Sequence, residues 1–226
     1  MRLKIYQINN DRDVNQVKFM PFDSLEKFQQ TSQVDPSIYD EVFNGEVECE
    51  DLEAVFTRFN TKGHPLHRGH SLSVSDIVVN GNGAFYCDMV GFKKVDFDET
   101  LTHKPDNLMR VVYVEPNRPP FEAEIAHTLE AEQKAVDGLI ELVYNEDDTA
   151  IVCNDEGKLR GMEGNRRIGD GSSIIAGPFF VCGLTEDDFR SLTDAEAAKY
   201  MERFAQPEQI SQEEVEADMG YFIFTM

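Results

Sequence analysis

The chain has 226 residues, of which 43 are acidic and 21 basic, giving a formal net charge of −22 with 41% hydrophobic residues. That balance works against direct nucleic-acid binding, because affinity for phosphate comes from clustered Lys and Arg. No stretch approaches the roughly 18 unbroken apolar residues of a membrane span, and the length accommodates two domains of roughly 100–150 residues.

In chain order, MRLKIYQIN alternates polar and apolar residues and predicts a strand through Leu3, Ile5 and Ile8. This is not the basic-then-apolar start of a secretory signal, so a cytoplasmic protein is expected. Asp23 and Glu26 have the spacing of a capping box ahead of a short helix, SLEKFQQ. Leu52, Val55, Phe56 and Phe59 fall at i, i+3, i+4 and i+7, one apolar helix stripe. SLSVSDIVV and AFYCDMVGF around NGNG predict a hairpin, with Ser71, Ser73 and Ser75 on a polar strand face. Periodicity lapses in VDFDETLTHKPDN, which places a domain boundary near Pro105.

Beyond it, VVYV, FEAEI, LIELVY, TAIVCN and IIAGPFFVCG read as strands, with a helix from Thr128 to Val136 between the second and third. Thr185 with Asp188, Thr193 with Glu196, and Ser211 with Glu214 each predict a helix start, and YFIFTM reads as an apolar strand. The expected fold class is α+β: two small α+β domains, 1–105 and 106–226, each with a mainly antiparallel sheet and short helices. Cys87, Cys153 and Cys182 lie in strand-like runs without a CxxC pair and are expected as buried free thiols, whereas Cys49 sits among acids.

Three groups of residues are candidate sites. HPLHRGH spaces His64, His67 and His70 three apart, a possible metal set with Asp76, although Pro65 and Gly69 favour an ordinary loop. NDEGKLRGMEGNRRIGDG is rich in Gly but lacks the Gly-Lys-Ser/Thr ending of a phosphate loop and the GxGxxG spacing. Asn154, Arg160, Asn165, Arg166 and Arg167 could surround a small anion there; alternatively the arginines offset carboxylates or grip carbonyls. The third group is acidic: Glu146, Asp147, Asp148, Glu213, Glu214, Glu216 and Asp218, in a half of the chain with 25 acidic and 10 basic residues. No nucleophile elbow or other catalytic motif is present, and no cofactor is called for.

GHSLSVSDIVV followed by AFYCDMVGFKKV resembles the YodL-like domain, over roughly residues 1–100. EAEIAHTLEAEQKAVDGLIELV, AIVCNDEGKLRGMEGNRR and IIAGPFFVCG, in that order, resemble the domain of unknown function 3846, over roughly 109–205. The resemblance implies that the Gly-rich segment belongs to a family framework, and it implies a setting in phages and mobile elements, whose small acidic proteins often serve as accessory or counter-defence factors. No catalytic residue is carried over by it. The expected function is therefore non-enzymatic binding of a protein partner through a carboxylate-rich face, in one form as a DNA mimic that occupies a restriction enzyme's channel. Its alternative is a small-anion-binding protein or enzyme using the Asn154–Arg167 segment.

Overall fold

The computed structural model describes residues 1–169 and 171–220. The apolar YFIFTM strand expected from sequence lies outside these residues. The chain forms two compact units, Met1–Asp106 and Asn107–Met226. Both are α+β with antiparallel sheets and short helices, as the periodicities predict.

The first unit contains β1 (Arg2–Ile8), α1 (Phe22–Gln29), β2 (Tyr39–Glu46), α2 (Leu52–Thr61), β3 (Ile77–Asn80), β4 (Gly83–Cys87) and β5 (Phe92–Val95). Its sheet runs β2-β1-β3-β4-β5. The NGNG turn closes the β3–β4 hairpin as expected, with Asn80 opposite Gly83. One face of the sheet buries Tyr6, Ile8, Tyr39, Ile77 and Tyr86 with Leu25 of α1. On α2 the apolar stripe buries Val55 and Phe59.

Two local expectations fail here. Pro21, which makes no side-chain cap bond, precedes α1, while Asp23 is held by Lys93 of β5. Residues 71–76 are loop rather than strand. There Ser75 adopts a left-handed backbone and Asp76 turns inward, its Oδ2 accepting from Ser73 N at 2.8 Å.

The second unit contains β6 (Leu108–Val114), β7 (Phe121–Ala126), α3 (Leu129–Val136), β8 (Ile140–Tyr144), β9 (Thr149–Asn154), β10 (Gly164–Ile168), β11 (Ser173–Ala176), β12 (Phe179–Leu184), β13 (Phe189–Arg190), α4 (Asp194–Arg203) and α5 (Gln212–Gly220). The main sheet runs β7-β6-β12-β9-β8, with β13 paired to β12, and β10–β11 form a separate hairpin arm. Alternate residues supply its two faces. Val112, Val114, Ile151, Phe179 and Val181 pack with Ala197, Tyr200 and Phe204 on the α4 side. On the α3 side, the Tyr113 hydroxyl donates to Ala135 O at 2.8 Å.

IIAGPFFVCG is broken at Gly177-Pro178 into β11 and β12, and GNRRI, inside the Gly-rich segment, forms β10. Thr193 and Glu196 make the expected capping box on α4, and Ser211 and Glu214 bond reciprocally at the start of α5. Thr185 and Asp188 start no helix. They close a turn into β13, with Thr185 N donating to Asp188 O and Asp188 N donating to Thr185 Oγ1.

Candidate functional site: an acid-rimmed groove along an edge strand

Among the described residues, β8 pairs only with β9. Asn145 N donates to Thr149 O and Asp155 N donates to Leu139 O, which brackets the ladder. In an antiparallel pair, hydrogen-bonded residues alternate. Counting from those two bonds, Glu141 and Val143 direct their backbone groups at β9, and Ile140, Leu142 and Tyr144 direct theirs outward. Among the described residues the strand therefore offers a short unpaired edge, the geometry that accepts an added strand.

Beside this edge lies a cavity of about 550 Å³ between β8–β9 and the β10–β11 arm. Val143, Cys153, Ile168, Ile175, Leu159 and Met219 supply its apolar lining, and Glu141, Asp155, Glu216 and Asp218 also border it. Burial pushes the Cys153 thiol up to about 12, so while it is covered it stays protonated and slow to react. A second cavity of about 340 Å³ shares Val143 and Ile168 with the first and reaches Tyr144, Glu146, Lys199 and Arg203. Tyr144 and Leu159 leave 71% and 79% of their surface exposed, so apolar area continues onto the rim.

The acidic residues singled out from sequence divide between this groove and internal pairing. Glu146, Glu216 and Asp218 line its two ends. Asp147 is held by Lys199 at 2.6 Å, Thr149 Oγ1 at 2.6 Å and Tyr200 OH at 2.9 Å. Burial opposes its ionisation, but these donors outweigh burial and bring its pKa down to about 2. Glu214 pairs with Arg167 at 2.6 Å, and Asp218 with Lys158 at 2.5 Å while also accepting from Ile174 N. Asp148 occupies a left-handed turn position, and Glu213 is exposed on α5.

The proposed anion ligands do not converge on one pocket. Asn165 and Arg166 are buried, with Asn165 Nδ2 donating to Val114 O and Gly177 O. Arg166 donates to Asn165 O, Asn165 Oδ1, Arg118 O and Phe204 O, at 2.7–3.0 Å. Arg160 is held by Asp137, and Arg167 by Glu208 and Glu214. Asn154 alone of the five borders the main cavity, and its amide bonds Val136 O and Asp137 O. The arginines thus grip carbonyls and offset carboxylates.

Nor do the three histidines gather. His64 and His67 pack edge-on against Phe43, with ring centroids 4.7 and 6.5 Å away, and His67 meets Phe59 at 5.0 Å. His70 stands apart beside Gln7, with its Nδ1 4.0 Å from Asp76 Oδ2. No group of three His, Cys, Asp or Glu side chains able to hold a metal is found among the described residues. Gln7 organises this loop: its Nε2 donates to Asp76 Oδ2 and His70 O, and its Oε1 accepts from His70 N. A Cβ at Gly69 would fall 2.0 Å from that Oε1, so the close approach requires glycine. Sequence reading missed the groove because its parts span residues 141–219; the one signal was the apolar strand LIELVY followed by the acidic turn NEDD.

No helix among the described residues is long and apolar enough to cross a membrane. Comparison with curated proteins and with solved structures found no match. Family models match both halves of the chain, leaving α5 beyond the second match. The chain carries a YodL-like domain over residues 2–97, followed over residues 109–205 by a Domain of unknown function (DUF3846).

Proposed function

We propose that this chain is a non-enzymatic binding protein whose second unit takes an extended partner segment along β8, with apolar side chains set into the groove and basic side chains at its rim. The observation that carries this reading is that the β8 edge, unpaired among the described residues, runs beside the 550 Å³ apolar-lined cavity, whose rim carboxylates come from β8 (Glu141), the end of β9 (Asp155) and α5 (Glu216 and Asp218). Main-chain bonds would supply affinity, alternate side chains would supply specificity, and the carboxylates would favour a basic sequence. The sequence-based expectation of a protein partner is kept in this form. Full DNA mimicry has less support, because Asp147, Glu214 and Asp218 already pair with Lys199, Arg167 and Lys158. A role in a mobile element or in counter-defence is compatible with such a binder.

The test is fluorescence anisotropy with synthetic peptides alternating Val or Ile with Lys. The full chain is expected to bind the Lys peptide and lose affinity steeply between low and high salt. Leu142→Pro removes an outward N–H without breaking the β9 ladder and should cut binding at least tenfold. Equal binding of the matching Glu peptide, or an unaffected Leu142→Pro variant, would overturn the proposal. So would sedimentation showing that the chain forms a dimer lost in Leu142→Pro, since a second copy would then be the occupant.

A further inference from the structure

The groove's closure depends on α5. Val215 is the one buried side chain among that helix's described residues, and it packs with Ile174 and Ala176 of β11. Most of the other visible ties are charge pairs. Asp218 meets Lys158 and Glu214 meets Arg167, while Glu208, just before the helix, meets the same Arg167 at 2.9 Å. Glu216, Asp218 and Met219 line the same cavity as Cys153. The seat beneath this segment is Gly164, where a Cβ would lie 2.6 Å from Ile210 Cγ2 and 3.1 Å from Val215 Cγ2. A helix with one apolar anchor and a set of ion pairs whose members keep 17–48% of their side-chain surface exposed is held loosely, because part-exposed pairs are individually weak and screened by salt.

We propose that α5 is a charge-latched strap across the groove, and that Asp218 exchanges Lys158 for a basic side chain of an arriving segment. Release of the strap and capture of the partner are then one event. The latch stands on the contacts of α5 itself; the exchange rests on the binding function proposed above. One of the carboxylates selected from sequence, Asp218, thus acts both as an internal tether and as a partner ligand.

Cys153 supplies the readout, being 5% exposed and facing the cavity that α5 closes. The full chain with Cys49→Ser is treated with a maleimide at increasing salt, and the modified cysteine is located by mass spectrometry. Labelling of Cys153 is expected to rise about threefold to tenfold between 0.05 and 1 M salt, concentrations chosen to span strong and weak screening. At low salt, Lys158→Met and Gly164→Ala should each produce a similar rise, the first by unlatching and the second by lifting Ile210 and Val215. Lys158→Arg, which keeps a cation opposite Asp218, should leave labelling slow. Rates unmoved by salt, by Lys158→Met and by Gly164→Ala, or an equal rise at buried Cys182, would overturn the latch.

The exchange is read separately, as affinity of the Val/Lys peptide for Lys158→Met against the natural chain. With the strap already open and Asp218 unpaired, binding should tighten about tenfold. An opened groove with unchanged affinity would overturn the exchange and leave the latch standing. A responsive latch in a protein that binds no peptide at all would instead overturn the binding function, and the exchange with it.

Discussion

Asp76 in the first unit and Arg166 in the second are both sealed from solvent, at 0% and 1% exposure, and their surroundings treat them differently. Arg166 places four hydrogen bonds on acceptors from β10, the residue 118 turn and the end of α4. Burial lowers its pKa, yet a guanidinium remains charged at any ordinary pH, so it acts as a permanent pin. Asp76 receives Ser73 N and the Gln7 amide on Oδ2, while Oδ1 has no hydrogen-bond partner among the described residues. Burial therefore prevails over those donors and raises its pKa to about 7. A buried cation amid carbonyls fixes structure, whereas a buried carboxylate short of donors responds to protons.

The largest effect expected of a single substitution is on the pin. Arg166→Met leaves the carbonyl of Phe204 buried and that of Arg118 part-buried without their donor and should destabilise the second unit by about 3 kcal/mol, measurable by urea denaturation. A loss below about 1 kcal/mol would mean that these carbonyls find other donors and that Arg166 is dispensable.

Next comes the proton response of Asp76. Its folded pKa lies above the ordinary aspartate value of about 3.9, so its contribution is most favourable at low pH. Stability of the first unit should fall as pH rises from about 4 to about 7 and then level off, over a span of at most about 4 kcal/mol. Amide exchange in β3 and β4 followed between pH 5 and 8 reads this, and Asp76→Asn should flatten it. A slope that survives Asp76→Asn would assign the response elsewhere.

The second unit should show the opposite sign over a lower range. Asp147 and Glu196 are both depressed to about 2, Asp147 by donors that overcome burial and Glu196 chiefly by Arg190. Their stabilisation is complete above about pH 5 and is lost as pH falls toward 2. After discounting for solvent, each supplies about 1 kcal/mol. Lys199→Met should reduce the acid sensitivity due to Asp147, read as a smaller Tm drop between pH 5 and 3.

Smallest is the α4 cap. Thr193→Ala should cost about 1 kcal/mol in the same unfolding measurement. No change would show that Arg190, which also holds Glu196, maintains that helix start without the threonine.

Local signals were legible where a short stretch contained its own partners. NGNG marks the β3–β4 hairpin because the turn and both strands are contiguous, and Thr193 with Glu196 marks α4 because both halves of the capping box lie within one turn. Thr185 with Asp188 carries a similar signal and fails, because Phe189 and Arg190 pair with β12 and the chain is drawn into a strand. The arginines of the Gly-rich segment were legible as a cationic group, but their partners at Asp137, Arg118, Phe204 and Glu208 lie up to 48 residues away.

From sequence alone came the α+β class, the helix stripes and hairpin, the order of the two family domains and the acidic excess, because each depends on composition or on neighbours within a few residues. Tertiary structure alone decided which carboxylates are paired and which border a cavity, that β8 has an edge unpaired among the described residues, and that Asp76 is buried. Those properties depend on distances between segments far apart in the chain, where packing and desolvation set the energy and residue spacing carries no information.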